Sequence, residues 1–331
     1  MQAHMAYKPM IQNIYKSSVE LIGRTPLVQL KRVANGLGAN VFVKLEYLNP
    51  SGSIKDRIAL KIIKDAEKQG KLKPGISTIV EASTGNTGIA LSYVGTMLGY
   101  KVRIFVPEGV STERVRIMQR YGASVEVIGA DEERRLKERS ISGGVVEIPG
   151  RLKCAEIEKK ERDIFWARQF SNPSNTLAQI ETGQEILDVL GEASGFTASI
   201  GTGGTLLGIG SALSRANKDM KIVAVEPASA KLPLLKEYQK LGKIVRTEVS
   251  GGIISDIIEA GIVDEILQVT DDEAIAMAHR LVREEGLFCG ISSGANVLAA
   301  LKLAEKLGRG NIVTVLPDSM DRYLSEEHYT T

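Results

Sequence analysis

One lysine of the chain stands in a setting that can make its amine a nucleophile. Lys55 follows a Pro-Ser-Gly-Ser turn and lies at the start of a segment with helical apolar spacing, residues 54–69. The start of a helix is a region of positive potential, which favours the neutral form of an amine, and a neutral lysine can form a Schiff base. A bare lysine is usually a solvated surface residue, so the adjacent turn is what makes Lys55 a candidate.

A second candidate is a loop of small polar residues, Ser-Thr-Gly-Asn-Thr-Gly, at positions 83–88. It follows a predicted buried strand at 77–81 and precedes a predicted helix that ends near Leu98. Its hydroxyl groups, its side-chain amide and its backbone N–H groups suit a carboxylate ligand. The same residues also form ordinary capped turns, so the pattern alone leaves both interpretations open.

The third candidate is a glycine-rich loop after the apolar strand predicted at 196–200. The loop consists of Gly201, Thr202, Gly203, Gly204 and Thr205. Its amides precede a predicted helix and can cradle a phosphate group. A dinucleotide-binding fold could use a similar loop. However, the Gly-x-Gly-x-x-Gly spacing with an acid about 20 residues later is not cleanly met, although Glu226 ends the next strand.

A fourth turn contains Cys289, Ser292 and Ser293 ahead of another predicted helix. Ser292 can cap the helix and face a ligand at the same time. Cys289 is more typical of a small core residue than of a nucleophile.

These loops lie between strands and helices that alternate along the chain. Further strands are predicted at 41–45, 101–106, 124–128, 222–225 and 312–316, and further helices at 112–121 and 271–285. Apolar strands that alternate with helices predict an α/β fold with mainly parallel sheets covered on both faces. Such folds bind ligands at the carboxyl ends of their strands, where these loops lie. The stretch 129–163 is predicted to be irregular and to separate two α/β halves.

Composition narrows the function classes. The chain has 331 residues, which suits two compact domains, and its 42 basic and 40 acidic side chains leave a net charge of only +2. We therefore expect neither a nucleic-acid partner nor a membrane partner. The two cysteines form no disulfide framework, and they show no metal-ligand spacing with the three histidines. We expect no metal and a cytoplasmic location.

Together and in this order, the four motifs resemble those of the cysteine synthase and cystathionine β-synthase branch of the fold type II, tryptophan-synthase-β-like enzymes, which depend on pyridoxal 5′-phosphate (PLP). The resemblance extends from about Gly23 to Leu324, nearly the whole chain. It implies two three-layer α/β domains and a homodimer. The smaller, mobile substrate-binding domain is expected at 50–155, and the larger PLP-binding domain at 5–49 plus 156–331.

The resemblance also implies roles for individual residues. Lys55 would carry PLP as a Schiff base and move protons, Asn86 would bond the PLP hydroxyl, and Ser292 would meet the pyridine nitrogen. The glycine-rich loop would hold the phosphate. The substrate carboxylate would be bound by Ser83, Thr84, Gly85, Asn86 and Thr87, with a second contact from Gln169.

The implied reaction is β-replacement on O-acetylserine or O-phosphoserine, with sulfide as nucleophile and L-cysteine as product, through an aminoacrylate. A neutral serine at the pyridine nitrogen makes PLP a weaker electron sink, which suits elimination. Cystathionine formation from a thiol, diaminopropionate synthesis and serine or threonine elimination remain alternatives on the same scaffold. An NAD-dependent dehydrogenase and a catalytically idle relative that binds partner proteins are the alternatives from other classes.

Three segments depart from the family pattern. The order Ser83-Thr84 reverses the usual Thr-Ser. The turn at 249–256 replaces a Gly-Ile-Gly segment, which leaves the leaving group and the nucleophile open. The stretch 131–163 could be a substrate lid or a surface insertion.

Overall fold

Two β-sheets form the framework of the protein, in a computed structural model that describes residues 14–129, 147–228 and 252–325. The strands are β1 (Leu27–Gln29), β2 (Asn40–Leu45), β3 (Thr78–Ala82), β4 (Lys101–Pro107), β5 (Ser124–Ile128), β6 (Ile164–Trp166), β7 (Gly195–Ser199), β8 (Lys221–Pro227), β9 (Glu265–Val269) and β10 (Asn311–Leu316). The helices are α1 (Lys55–Lys68), α2 (Asn86–Met97), α3 (Thr112–Arg120), α4 (Ile148–Lys160), α5 (Pro173–Leu190), α6 (Gly204–Ala216), α7 (Ile253–Ala260), α8 (Asp271–Arg280) and α9 (Ile291–Leu307).

The two sheets are mainly parallel. The larger has six strands in the order β1-β2-β10-β7-β8-β9, and only β1 pairs antiparallel with its neighbour. The smaller has four parallel strands in the order β5-β4-β3-β6. Parallel neighbours need crossover connections, and the helices between the strands supply them. The predicted α/β class, with two domains and mainly parallel sheets, is confirmed.

Each sheet is packed on both faces, because alternate strand residues point to opposite sides. In the smaller sheet, Ile79 and Ile104 pack with Ile58 of α1 in one apolar cluster. Val80 and Phe105, their neighbours in sequence, belong to a second cluster. The larger sheet divides in the same way: Ile312 and Leu316 belong to one cluster, whereas Val313 and Val315 belong to another. Each domain therefore has three layers.

Helix α4 lies in the stretch that was predicted to be irregular, so that prediction is wrong for residues 148–160. Its apolar periodicity is weak, because only Cys154 and Ile157 are buried hydrophobic residues within it. A Cβ on Gly150 would lie only 2.8 Å from the Cβ of Ala82, so this glycine allows the helix to lie close to the sheet. Cys154 and Ile157 pack against the sheet, and two buried apolar residues are too few to give a clear hydrophobic pattern.

The boundary of the smaller domain was predicted at residue 155. Strand β6, Ile164–Trp166, pairs with β3 in the smaller sheet. We therefore propose that the smaller domain extends to about residue 166.

The segments at 131–163 and 249–256, noted above as departures from the family pattern, lie partly outside the described residues. Within the described residues, no helix is both long and apolar enough to span a bilayer. The same residues contain no group of three His, Cys, Asp or Glu side chains arranged to hold a metal ion.

Candidate active site

The predicted motifs meet in one cavity of about 440 Å³. Strands β3, β7 and β10 lead into it at their carboxyl ends, as expected for a ligand site in parallel sheets. The predicted residues that line the cavity are Lys55, Ser83, Thr84, Gly85, Asn86, Thr87, Gln169, Gly201, Thr202, Gly203, Thr205 and Ser292. The remaining predicted residue, Gly204, begins α6 beside the cavity and is buried.

Lys55 is the first residue of α1 and is partly exposed towards the cavity. Its backbone N–H donates to the hydroxyl of Ser53 (3.3 Å), and the N–H of Ile54 donates to the carbonyl of Pro317 (2.8 Å). Burial lowers the pKa of the Lys55 amine, and the charges of Asp318 and Glu147 partly oppose this. The Lys55 amine therefore loses its proton at a lower pH than the amine of an ordinary lysine does.

The loop at 83–88 is held by its own side chains. The Ser83 hydroxyl accepts from the N–H groups of Gly85 (3.1 Å) and Gly88 (3.0 Å), which shapes the turn into α2. Thr87 donates to Oε1 of Gln169 (2.5 Å), while Nε2 of Gln169 donates to the carbonyl of Ala82 (2.8 Å). The loop at 83–87 and Gln169, which are both predicted to bind the substrate carboxylate, thus lie together in one wall of the cavity.

Asn86 is tied to the C-terminal part of the chain. Its Nδ2 donates to Oδ2 of Asp318 (2.6 Å), and Arg322 donates to its Oδ1. Tyr323 donates to the same Asp318 oxygen (2.6 Å). These contacts fix the side chain of Asn86 at the cavity edge and place the Asp318 carboxylate close enough to act on Lys55.

The glycine-rich loop has the geometry of a phosphate cradle. Gly203 has a φ of +91°, and a Cβ there would lie 2.8 Å from Cδ1 of Ile257, so neither the backbone nor the space suits a larger residue. Among the described residues, none accepts a hydrogen bond from the amides of Gly201, Thr202 or Gly203. Free amides at the N-terminus of α6 fit the phosphate group of PLP.

The last motif lies in the first turn of α9. Ser292 is partly exposed and lines the cavity, so its neutral hydroxyl is available to a heteroaromatic nitrogen. Cys289 is fully buried, and burial raises the pKa of its thiol to about 12. A thiol that stays protonated is a poor nucleophile, which agrees with the prediction of a core residue.

Ten lining residues were missed by sequence reasoning, and four of them bear on the chemistry of the site: Glu147, Phe170, Asp318 and Tyr323. Asp318 follows β10 through Pro317, and its position at the carboxyl end of a strand could have revealed it. Glu147 immediately precedes α4, in the stretch that gave no periodic signal. Phe170 and Tyr323 are uncharged aromatic residues, and nothing in their spacing distinguishes them from core residues.

Known proteins resemble this chain over almost its whole length. The family model described as "Pyridoxal-phosphate dependent enzyme" matches residues 19–318. A cysteine synthase of Staphylococcus aureus is 40% identical over 330 residues, which cover 98% of this chain and 99% of that protein. The crystal structure of a cysteine synthase from Entamoeba histolytica is 35% identical with a TM-score of 0.82, and the match covers 99% of this chain and 94% of that one. An O-acetylserine-dependent cystathionine β-synthase from Helicobacter pylori is 32% identical with a TM-score of 0.81, over 96% and 99% of the two chains.

Proposed function

The chain belongs to the pyridoxal-phosphate-dependent enzyme family, and from this membership we propose that it replaces the β-substituent of an activated serine with sulfide to give L-cysteine. The activated serine is O-acetylserine or O-phosphoserine. Both the S. aureus relative and the E. histolytica structure are cysteine synthases, which supports this choice among the reactions of the family.

The observation that carries the proposal is that the predicted motifs line one cavity. It is lined by a lysine whose pKa is lowered by burial, a loop of donors suited to a carboxylate, and a glycine-rich loop with free amides. These are the three requirements for an amino acid and PLP to react together: a covalent anchor, a substrate clamp and a phosphate cradle. A dinucleotide-binding enzyme has no use for the first two in this arrangement.

PLP, when bound, withdraws electrons from the α-carbon of an attached amino acid and so makes the α-proton acidic. Lys55 would hold the cofactor, the amides of Gly201, Thr202 and Gly203 would bind its phosphate, and Ser292 would face its pyridine nitrogen. Asn86 would contact the ring hydroxyl.

Side chains of the cavity would transfer the proton and orient the substrate. The Lys55 amine would accept the α-proton and later return it, because its lowered pKa favours the neutral form. Thr87 and Gln169, already hydrogen-bonded to each other, would turn their donors to the substrate carboxylate and fix the direction of the α-proton.

A donor assay tests the proposal directly. Holoenzyme and sulfide are mixed with one donor at a time, O-acetylserine, O-phosphoserine or serine, and the cysteine formed in each reaction is measured. We expect one activated donor to give cysteine faster than serine does. No cysteine from any of the three would contradict the proposal.

The assignment of Lys55 has its own test. Lys55→Ala is expected to lose both turnover and the visible absorption of the bound cofactor, because no other described lysine lines the cavity. Lys61→Ala, a change on the same helix away from the cavity, is the matched control and should keep both. Turnover at the parent rate in Lys55→Ala would refute the assignment.

A thiol is the second candidate nucleophile, because the H. pylori structure at 32% identity is an O-acetylserine-dependent cystathionine β-synthase. The same assay with homocysteine in place of sulfide separates the two. Formation of cystathionine at a higher kcat/KM than cysteine would favour this alternative.

We also propose that the chain works as a homodimer in the cytoplasm. The family resemblance supports the dimer, which light scattering on the purified protein would test. Cys154 and Cys289 are both free and buried, as is typical of proteins from a reducing compartment.

A further inference from the structure

The donors of Thr84 are already engaged by a carboxylate of the protein itself. Oε1 of Glu147 accepts from the backbone N–H of Thr84 (2.8 Å) and lies 3.1 Å from its hydroxyl. Thr84 belongs to the loop that is proposed to bind the substrate carboxylate. A Glu carboxylate and an amino-acid carboxylate have the same charge and the same acceptor geometry. Glu147 therefore makes the contacts expected of the substrate.

The position of Glu147 allows its carboxylate both to bind Thr84 and to leave it. Only 6% of its surface is exposed, and it lines the cavity. Its other oxygen, Oε2, lies 3.4 Å from Nη2 of Arg151, one turn further along the chain. Arg151 is 2% exposed, and its guanidinium lies over the ring of Phe170, 3.4 Å from the centroid. Arg151 is thus a fixed cation beside Glu147, towards which the carboxylate can move without becoming an unpaired buried charge.

Two carboxylates cannot share these donors at low cost. Like charges in one partly buried site repel, and each would receive only part of the hydrogen bonding from Thr84. The substrate must displace Glu147 from Thr84, or bind more weakly with only the donors around Thr87 and Gln169. Either way, the affinity for an anionic ligand is reduced by the presence of Glu147.

We infer that Glu147 is an internal carboxylate that competes with the substrate carboxylate for Thr84 and moves towards Arg151 when the substrate binds. The inference rests on the proposed function, because it takes the loop at 83–87 as the substrate clamp. Glu147 is then a positioning residue: it keeps the clamp ordered before substrate arrives, and it raises KM.

A purely structural role makes the opposite prediction. If Glu147 only holds Thr84 in the shape that the substrate needs, its removal disorders the clamp and weakens the binding of every ligand. If it competes, its removal strengthens the binding of anions and leaves neutral ligands of the same shape unaffected.

Propionate and propionamide separate the two roles. Both have the size of alanine without its amine, so neither can react with the cofactor, and only propionate carries a negative charge. Their dissociation constants are measured on the holoenzyme by calorimetry, for the parent and for Glu147→Gln. Exchange of a charged acceptor for a neutral one roughly halves the strength of a hydrogen bond, so we expect propionate to bind about tenfold more tightly to the variant. Propionamide should bind equally to both.

Glu156→Gln is the matched control, since it removes one negative charge from the exposed side of α4, the helix that Glu147 precedes. It should leave both constants unchanged. Glu147→Asp is a second variant that keeps the charge and the partner Arg151 while shortening the reach to Thr84. It should tighten propionate binding in the same direction but by less.

Three results would overturn the inference: unchanged propionate binding in Glu147→Gln, weaker binding of both ligands, or equal tightening of both. A parent enzyme that makes cysteine but shows one of these results refutes the role of Glu147 alone. A parent that makes no cysteine from any donor refutes the proposed function instead.

Discussion

An ion network that joins three elements of the fold allows a quantitative test. Glu185 on α5 accepts from Nη1 of Arg57 (2.6 Å) on α1 and from Nζ of Lys44 (2.7 Å) on β2. The backbone N–H of Arg24 donates to the same carboxylate (2.9 Å). The change we consider is Glu185→Gln, which keeps the size of the side chain and removes its charge.

The pKa of Glu185 gives the expected loss of folding stability in this variant. Burial acts to raise it, but the hydrogen bonds and charge of Arg57, with Lys44 and the Arg24 N–H, lower it from 4.5 to about 2. A pKa lowered by roughly 2.5, at about 1.4 kcal/mol for each pH unit, corresponds to about 3.5 kcal/mol of stability. A depressed carboxyl pKa contributes its stability above the unfolded value, near 4.5, and the contribution is lost as the pH falls towards 2.

Urea unfolding followed by circular dichroism at pH 7 and pH 3 is the assay. At pH 7, Glu185→Gln should lower the free energy of unfolding by about 3.5 kcal/mol, and at pH 3 by only about 1.4 kcal/mol. Arg57 keeps Glu46 as a partner (2.6 Å), so the variant does not leave the Arg57 guanidinium unpaired.

Glu181 lies one turn earlier on α5 and is the matched control, because its side chain is 67% exposed and 3.9 Å from Lys61. Glu181→Gln should cost no more than about 0.5 kcal/mol at either pH. A deficit of Glu185→Gln that is the same at both pH values, or no larger than that of the control, would refute the reasoning.

Two further predictions concern the cofactor. Gly203→Ala forces an alanine into a backbone with φ of +91° and places its Cβ 2.8 Å from Ile257, so the Kd for PLP, measured by absorbance titration, should rise about tenfold. Gly261→Ala is the control, because Gly261 has a φ of +60° with open space around it, and it should leave the Kd unchanged. Equal effects of the two changes would contradict the role of the glycine-rich loop as the phosphate site. Because burial lowers the pKa of Lys55, the rate at which apoprotein takes up PLP should increase with pH and level off below pH 10.5. Stopped-flow absorbance measures this rate, and a rate that levels off only at the pKa of an ordinary lysine would contradict the prediction.

Much of the fold and most of the lining of the site could be predicted from the sequence. Strands such as β4 and β10 carry apolar runs and end at or before a proline, so the sequence pattern located them to within a residue. The loop at 83–87 and the glycine-rich loop follow strands of different sheets, β3 and β7, so it was the family resemblance that placed them in one site. Lys55 was found through the turn that precedes it.

The rest depends on contacts that leave no local pattern. Helix α4 packs on the sheet through only two buried apolar residues, Cys154 and Ile157, and approaches it closely at Gly150, so its apolar pattern was too sparse to be detected. Glu147 and Arg151 look like members of a solvated charged stretch, yet both are buried. Their burial is set by residues far away in the sequence, Thr84 and Phe170.

The attachment of Lys55 to both sheets has a mechanical consequence. Just before it, Ser53 forms a β-bridge with Asp318, and Ile54 is bonded to Pro317 at the end of β10. Just after it, Ile58 and Ile62 are embedded in the core of the smaller sheet. The lysine therefore lies at the junction of the two sheets. If the smaller sheet moved as a body about this junction, Lys55 would stay close to the glycine-rich loop, and the loop at 83–87 would be displaced further.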